Sequence, residues 1–379
     1  GEKKFEAANK TAENGIFIEV LGYVLFLLIG IFVTKPFFLA QAGAGDIANM
    51  GIEYTRICLL MSFGIFMQIG FERILQSTGR TIFTMITQST GAIINIILDP
   101  ILIFGLFGMP KMGVAGAALA TIISQFVSFC LLLVGCTKGG NLKLHLSHVK
   151  LKPYYYLWIF KGGLPSLARQ GLASVATICL NQAARTYGDA AIAAMGVVQR
   201  IMMFGGSAMI GFGQGFQPVC GFNYGAKLFK RVQEGFWFCV KFCTSVLLVA
   251  AVCGWIFSPN LIGIFLKTDP LVIEYGSQAL RLQALTFPLV GWITIANMML
   301  QTIGKTVKAS LLAMSRQFLF FVPVILTLPG FLGFWGVQLS QPIADFCSFL
   351  LAVPLSISVL REMSHEQEQL EQLKITREN

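Results

Sequence analysis

Long apolar stretches run along this chain, separated by short clusters of charged, glycine and proline residues. A spanning helix needs roughly 20 mostly apolar residues to cross a hydrocarbon core about 30 Å thick. About ten stretches satisfy that length, at approximately 16–34, 52–75, 82–108, 113–136, 155–184, 191–220, 235–257, 274–303, 307–330 and 334–360. Each is apolar on all faces rather than at every second position, which argues against the alternating strands of an outer-membrane barrel. The pattern predicts an all-α, polytopic helical bundle, in which each segment satisfies its own backbone polar groups.

Composition agrees with this reading. Hydrophobic residues make up 55% of the chain and charged residues 12%, with a mean hydropathy of +0.71. That balance belongs to an integral membrane protein, expected in the cell membrane. The net charge of +10 could suit nucleic acid, but the Lys and Arg residues sit at alternate helix junctions rather than along one stripe. Lys3, Arg80, Lys143, Lys227, Lys305 and Arg361 fall with most of the others on one side; Lys35, Lys111, Arg185 and Lys267 fall on the opposite side. The positive-inside rule places the rich side, and with it the C-terminus, in the cytoplasm, and no nucleic-acid partner is expected. The nine cysteines lie mostly inside apolar stretches without metal-ligand spacing, the pattern of buried reduced thiols.

The chain also repeats itself. At a shift of 224 to 225 residues, Gly1, Lys3 and Phe5 match Gly225, Lys227 and Phe229, and Gly51, Arg56, Gln76, Gly79 and Thr81 match Gly276, Arg281, Gln301, Gly304 and Thr306. Gly113-Val114 pairs with Gly336-Val337 at a shift of 223, and Ile123, Phe126, Ser128 and Phe129 pair with Ile343, Phe346, Ser348 and Phe349 at 220. Four helices lie in each matched region, so the repeat is parallel rather than inverted. The counterpart of residues 153–224 would have to precede Gly1; about 72 residues are enough for two more spanning helices, so the chain is expected to lack the first two helices of its first half. The expected organisation is an N-terminal lobe at 1–137, a polar cytoplasmic linker at 138–153, a C-terminal lobe at 154–360 and a solvated cytoplasmic tail at 361–379.

Candidate chemistry is sparse. Gly304-Lys305-Thr306 ends like a phosphate-binding loop, but Met299 stands where that motif needs glycine, so a tight turn is the better reading. His145, His148 and His365 all lie outside the apolar stretches, which leaves no basis for an intramembrane enzyme. What remains is a set of polar groups inside spans, each costing a few kcal/mol at mid-bilayer unless it faces a polar interior. Asp99 is the sharpest: Asn95 precedes it by four residues on the same helical face, and Pro100 removes the next backbone hydrogen bond. Desolvation favours a protonated carboxyl, which suits a group that takes up and releases a proton. Asn181, Gln182, Gln199, Arg200, Gln214 and Gln217 place amides and one permanent cation in the first two helices of the second half, and Asp345 is a candidate partner for Arg200. Arg56 and Arg281, as repeat mates, suit structural anchors; Glu53 lies one turn from Arg56.

Gly211-Phe-Gly-Gln-Gly-Phe-Gln-Pro218, continuing Val-Cys-Gly-Phe-Asn-Tyr-Gly-Ala-Lys227, resembles the hallmark of the multidrug and toxic compound extrusion (MATE) family. Asn95-Ile-Ile-Leu-Asp-Pro100 and Gly113-Val-Ala-Gly-Ala-Ala-Leu-Ala-Thr121 resemble the fifth and sixth helices of that family, particularly its MepA-like branch. The resemblance implies a twelve-helix fold of two pseudo-symmetric bundles, with about ten of the helices present here. It further implies a secondary antiporter, not an enzyme, that exports lipophilic organic cations in exchange for protons or sodium by alternating access. No cofactor beyond the coupling ion is implied, the partners are small cationic substrates and the lipid bilayer, and a monomer is expected. The family's acidic residue on its first helix has no counterpart in this chain, and its seventh-helix acidic position holds Asn181 and Gln182. Coupling is therefore assigned to Asp99 and Asn95, with protons preferred, and the substrate cavity to Asn181, Gln182, Arg200, Gln214, Gln217 and Asp345. The rival readings are a lipid-linked oligosaccharide flippase of the same superfamily, which would want a larger and more cationic cavity, and a non-transporting receptor or channel subunit.

Overall fold

The computed structural model describes residues 5–42, 45–138, 153–265 and 269–378. Among these, regular structure is entirely helical. Its order is α1 (Phe5–Phe32), α2 (Thr34–Ala42), α3 (Asp46–Leu60), α4 (Phe63–Ser77), α5 (Thr81–Phe104), α6 (Gly113–Lys138), α7 (Pro153–Arg185), α8 (Asp189–Gly225), α9 (Phe229–Ile256), α10 (Ser258–Phe265), α11 (Pro270–Thr302), α12 (Thr306–Met314), a π-helical turn (Ser315–Leu319), α13 (Phe321–Leu332) and α14 (Phe334–Glu378). The polar linker expected at 138–153 lies, but for its two end residues, outside the described residues. The expected tail is no separate element: α14 continues through it to Glu378.

Among the described residues eight helical runs are long and apolar enough to cross a membrane, namely α1, α5, α6, α8, α9, α11, α14 and the continuous run of α12, the π turn and α13, and α3 with α4 makes a ninth if the pair is one span bent by 48°. The bend falls at Met61 and Ser62, inside the single span expected at 52–75. The remaining expected span corresponds to α7, which has the length, 33 residues. It carries Lys161, Arg169, Gln170, Asn181, Gln182 and Arg185 along that length and so lacks the apolarity.

The described chain divides into two compact units, residues 5–159 and 160–378. In the first, Ile16 of α1, Met67, Phe71 and Leu75 of α4 and Leu132 of α6 form the core. In the second, α11 is the central helix, packed against α8, α9 and α14. Phe236, Cys243, Ile295, Met299 and Leu300 are completely or almost completely buried around it.

The internal repeat is visible as repeated contacts. Arg56 Nη2 donates to the Ile31 carbonyl at 3.5 Å, and its mate Arg281 donates through Nε to the Trp255 carbonyl at 3.3 Å and to Ser258 Oγ at 2.9 Å. Both arginines thus satisfy a carbonyl near the C-terminal end of an equivalent helix, the anchoring role expected of them. Gly79 and Gly304 both adopt left-handed backbone, with φ of 84° and 79°, and each is followed by a residue whose N–H closes the turn at 3.0 Å, Arg80 onto the Leu75 carbonyl and Lys305 onto the Leu300 carbonyl. The Gly-Lys-Thr sequence is therefore a helix-ending turn.

The contacts also correct one repeat alignment. A Cβ on Gly116 would lie 2.5 to 2.9 Å from the backbone of Leu102 and Ile103, and a Cβ on Gly336 would lie 2.6 Å from the backbone of Leu328 and Pro329. Gly336 is thus the mate of Gly116, not of Gly113, whose left-handed φ of 55° is matched by Gly333 at 59°. The shift of 220 seen later in the repeat already applies at the start of α6 and α14. Over the preceding helices the mates move from Thr81 and Thr306 to Leu102 and Leu328, which requires one extra residue in the second copy. The π-helical turn at 315–319 supplies it, since such a turn is the signature of a single insertion into an α-helix.

Gly116→Ala and Gly336→Ala are each expected to cost about 1–3 kcal/mol by forcing helix backbones apart. Gly211→Ala, where a Cβ meets nothing within 4 Å, should leave stability level or slightly raised. Thermal unfolding of the detergent-purified protein checks this, and equal melting temperatures for all three variants would contradict it.

Candidate functional site

Polar groups gather in two places, one in each unit. In the first unit, Asp99 sits in the last turns of α5, which ends at Phe104, is half-buried, and has a carboxylate oxygen, Oδ1, that is buried without a hydrogen-bond partner. One turn earlier, Asn95 Nδ2 points to Thr121 Oγ1 of α6 at 3.5 Å, a weak bond. Tyr54 of α3 reaches the Thr121 hydroxyl and the Cys58 thiol and lies close enough to Asp99 to feel its charge. The structure thus brings Asp99 and Asn95 together as their spacing requires and adds Tyr54, which sequence reasoning missed.

Nearer the start of α5 lies a second carboxylate that sequence reasoning missed. Glu72 of α4 is buried and accepts from Gln76 Nε2 at 2.8 Å and from Gln88 Nε2, while Gln68 Nε2 donates to Gln88 Oε1 at 3.0 Å. The two amides thus satisfy both carboxyl oxygens of Glu72 within the unit. Its signal was available, an ionisable residue inside the apolar stretch 52–75.

The second unit holds a cavity of about 820 Å³ walled by α7, α8, α11, the π turn and α14. Asn181 and Arg200 line it, as do Gln199 and polar residues not anticipated, among them Arg169, Gln283 and Arg316. Gln182 is exposed and outside the wall. Gln214 and Gln217 continue the helical face of Met203, Ser207 and Ile210, but they lie beyond the last lining residue of α8.

Asp345 is also outside the wall, and its partner is not Arg200. It is completely buried, bound by Arg316 Nε to Oδ1 at 2.6 Å, by Arg316 Nη2 to Oδ2 at 3.4 Å and by Gln341 Nε2 to Oδ1 at 2.8 Å. Arg316 and Gln341 both face the cavity, so Asp345 stands directly behind it. Arg316 was overlooked although it is a permanent cation in the middle of the stretch 307–330. The π turn carries it: the inserted residue redirects the side chains that follow and aims this guanidinium at α14.

The MatE family model matches residues 1–101 and 165–327 of the chain. The chain belongs to the MATE family. It is a membrane transporter rather than an enzyme. Among curated relatives, it is 28% identical to the multidrug export protein MepA of Staphylococcus haemolyticus, over 86% of this chain and 72% of that protein. It is 27% identical to MepA of Staphylococcus saprophyticus, over 96% of this chain and 79% of that protein. Among solved structures, an outward-facing multidrug resistance MATE transporter superposes with a TM-score of 0.89 at 22% identity, over 96% of this chain and 81% of the other. A variant of the Vibrio cholerae MATE transporter VcmN gives 0.86 at 20% identity, over 96% and 81%. The MATE fold is thus established for both units, while the cavity wall has to be read from this chain's own side chains.

Truncating one member of the Arg316 and Asp345 pair leaves an uncompensated buried charge. Arg316→Leu is expected to cost on the order of 3–5 kcal/mol, and Arg316→Leu combined with Asp345→Leu to recover most of that loss. Melting temperatures of the two variants decide it: a double variant less stable than Arg316→Leu alone would contradict the coupling.

Proposed function

We propose that this MATE protein is a secondary antiporter that exports amphipathic organic compounds across the cell membrane in exchange for protons, with Asp99 as the coupling carboxyl. The observation that carries the proposal is the buried, unpartnered Oδ1 of Asp99 on a spanning helix. A polar oxygen left without a partner at that depth is costly, which makes it an open acceptor for a transported proton, and the arrival or departure of that proton is a change its neighbours must accommodate. Tyr54, Asn95 and Thr121 supply hydroxyl and amide groups that can follow such a change. Sodium would call instead for several oxygens converging on one point, whereas Asn95 is directed to Thr121 and Tyr54 to Thr121 and Cys58. A cargo of drug size is supported by the relatives named as multidrug export proteins and by a cavity of about 820 Å³, within the range that accommodates such molecules. Alternating access follows as the means by which one binding cavity serves both sides of the membrane.

In proteoliposomes, transport of a fluorescent drug driven by a pH gradient should fall to background in Asp99→Asn, with expression and melting temperature retained. A sodium gradient without a pH difference should drive no transport in the parent protein. Undiminished pH-driven transport by Asp99→Asn would remove this residue from the mechanism.

A further inference from the structure

The wall of the second unit's cavity carries charge of one sign. Arg169 from α7, Arg200 from α8 and Arg316 from the π turn all line it, and no Asp or Glu is among the lining residues. Asp345 answers Arg316 from behind the wall, fully buried, with its oxygens engaged by Arg316 and Gln341. Arg200 has no carboxylate within ion-pair distance among the described residues. The rest of the polar wall consists largely of amides such as Gln199 and Gln283, whose N–H groups donate to an anion, and Phe287 and Phe321 supply an apolar floor. A cation brought into this space meets charge of its own sign. An anion brings the charge that the wall lacks, and a planar oxyanion fits the fork of a guanidinium bidentately.

We propose that this cavity receives the acidic group of an amphipathic organic anion, a carboxylate, sulfonate or phosphate on an apolar body, rather than the lipophilic cation that the family resemblance implies. The proposal rests on the transport reading only in calling this ligand a cargo. Arg200 supplies the uncompensated charge. Arg316, fixed by Asp345, supplies an oriented one, and the rings and methionines of the wall take up the apolar body without selecting its shape.

Tetraphenylborate and tetraphenylphosphonium are nearly isosteric lipophilic ions of opposite sign, so their relative affinity reads the charge of the site. Binding of each to the purified protein in phosphatidylcholine nanodiscs, measured by equilibrium dialysis against empty discs, should favour the borate by about tenfold or more. Arg200→Gln should shrink that ratio by about threefold or more, and Arg200→Lys should preserve it. Taurocholate, a soluble sulfonate, and dioctanoyl phosphatidate, a lipid phosphate, then compete with the borate: displacement by either supports the proposal and identifies the source of the anion. A ratio of one or below, a ratio unchanged by Arg200→Gln, or displacement by neither competitor overturns it. Binding needs no proton gradient and Asp99 lies in the other unit, so failure here is distinguishable from failure of proton coupling.

Discussion

Inside a bilayer a polar group has no water to fall back on, and the placement of several charged side chains in the described spans answers to that shortage. Arg56 and Arg281 spend their donors on carbonyls at helix ends, which would otherwise be unsatisfied. Glu72 is held by the amides of Gln76 and Gln88, and Asp345 by Arg316 and Gln341. The polar helix α7 crosses the second unit only because much of its polarity faces the cavity, where Arg169, Gln170 and Asn181 find a lining role. Asp99 stands apart from this economy, with a buried oxygen left without a partner.

The two copies of the repeat share a scaffold and differ in what they carry on it. Equivalent glycines end equivalent helices, equivalent arginines cap them, and Gly116 and Gly336 admit the same close backbone approach. The departures fall at the functional positions. In the first copy the fifth helix is unbroken and bears Asp99; the corresponding turn of α13 bears Val324 and Ile325. In the second copy a single inserted residue opens a π turn and sends Arg316 to Asp345. The span that bends by 48° between α3 and α4 is matched by the continuous α11, the central helix of its unit. Duplication supplied two equivalent frames, and local changes gave one a carboxyl with a buried, unpartnered oxygen and the other a cationic wall.

Helix existence was legible because twenty-residue apolar runs admit little else, and the repeat was legible because glycines with positive φ cannot easily be replaced. The break at Met61 and Ser62 was not legible, since neither residue is a strong helix breaker. Asp99 and Asn95 were found together because a spacing of four fixes a common face. Gln214 and Gln217 share the right face of α8 but sit past the end of the cavity, a matter of depth that periodicity does not encode. The pairing of Asp345 with Arg316 instead of Arg200 depends on the π turn, which reads in sequence as an ordinary stretch of helix.

The residues that reveal the family are not those that line the cavity. The hallmark from Gly211 to Pro218 consists of backbone determinants: within it Gly213 admits Met298 of α11, Pro218 lies inside the last turns of α8, and none of its residues lines the cavity. Such a motif constrains how helices pack, and packing is what a TM-score of 0.89 at 22% identity records. Wall residues such as Arg200 and Gln199 border space that packing leaves open. A resemblance carried by glycines and prolines therefore transmits architecture faithfully and substrate polarity hardly at all. The sign of the cargo has to be argued from the guanidinium groups of this chain, and they point to an anion.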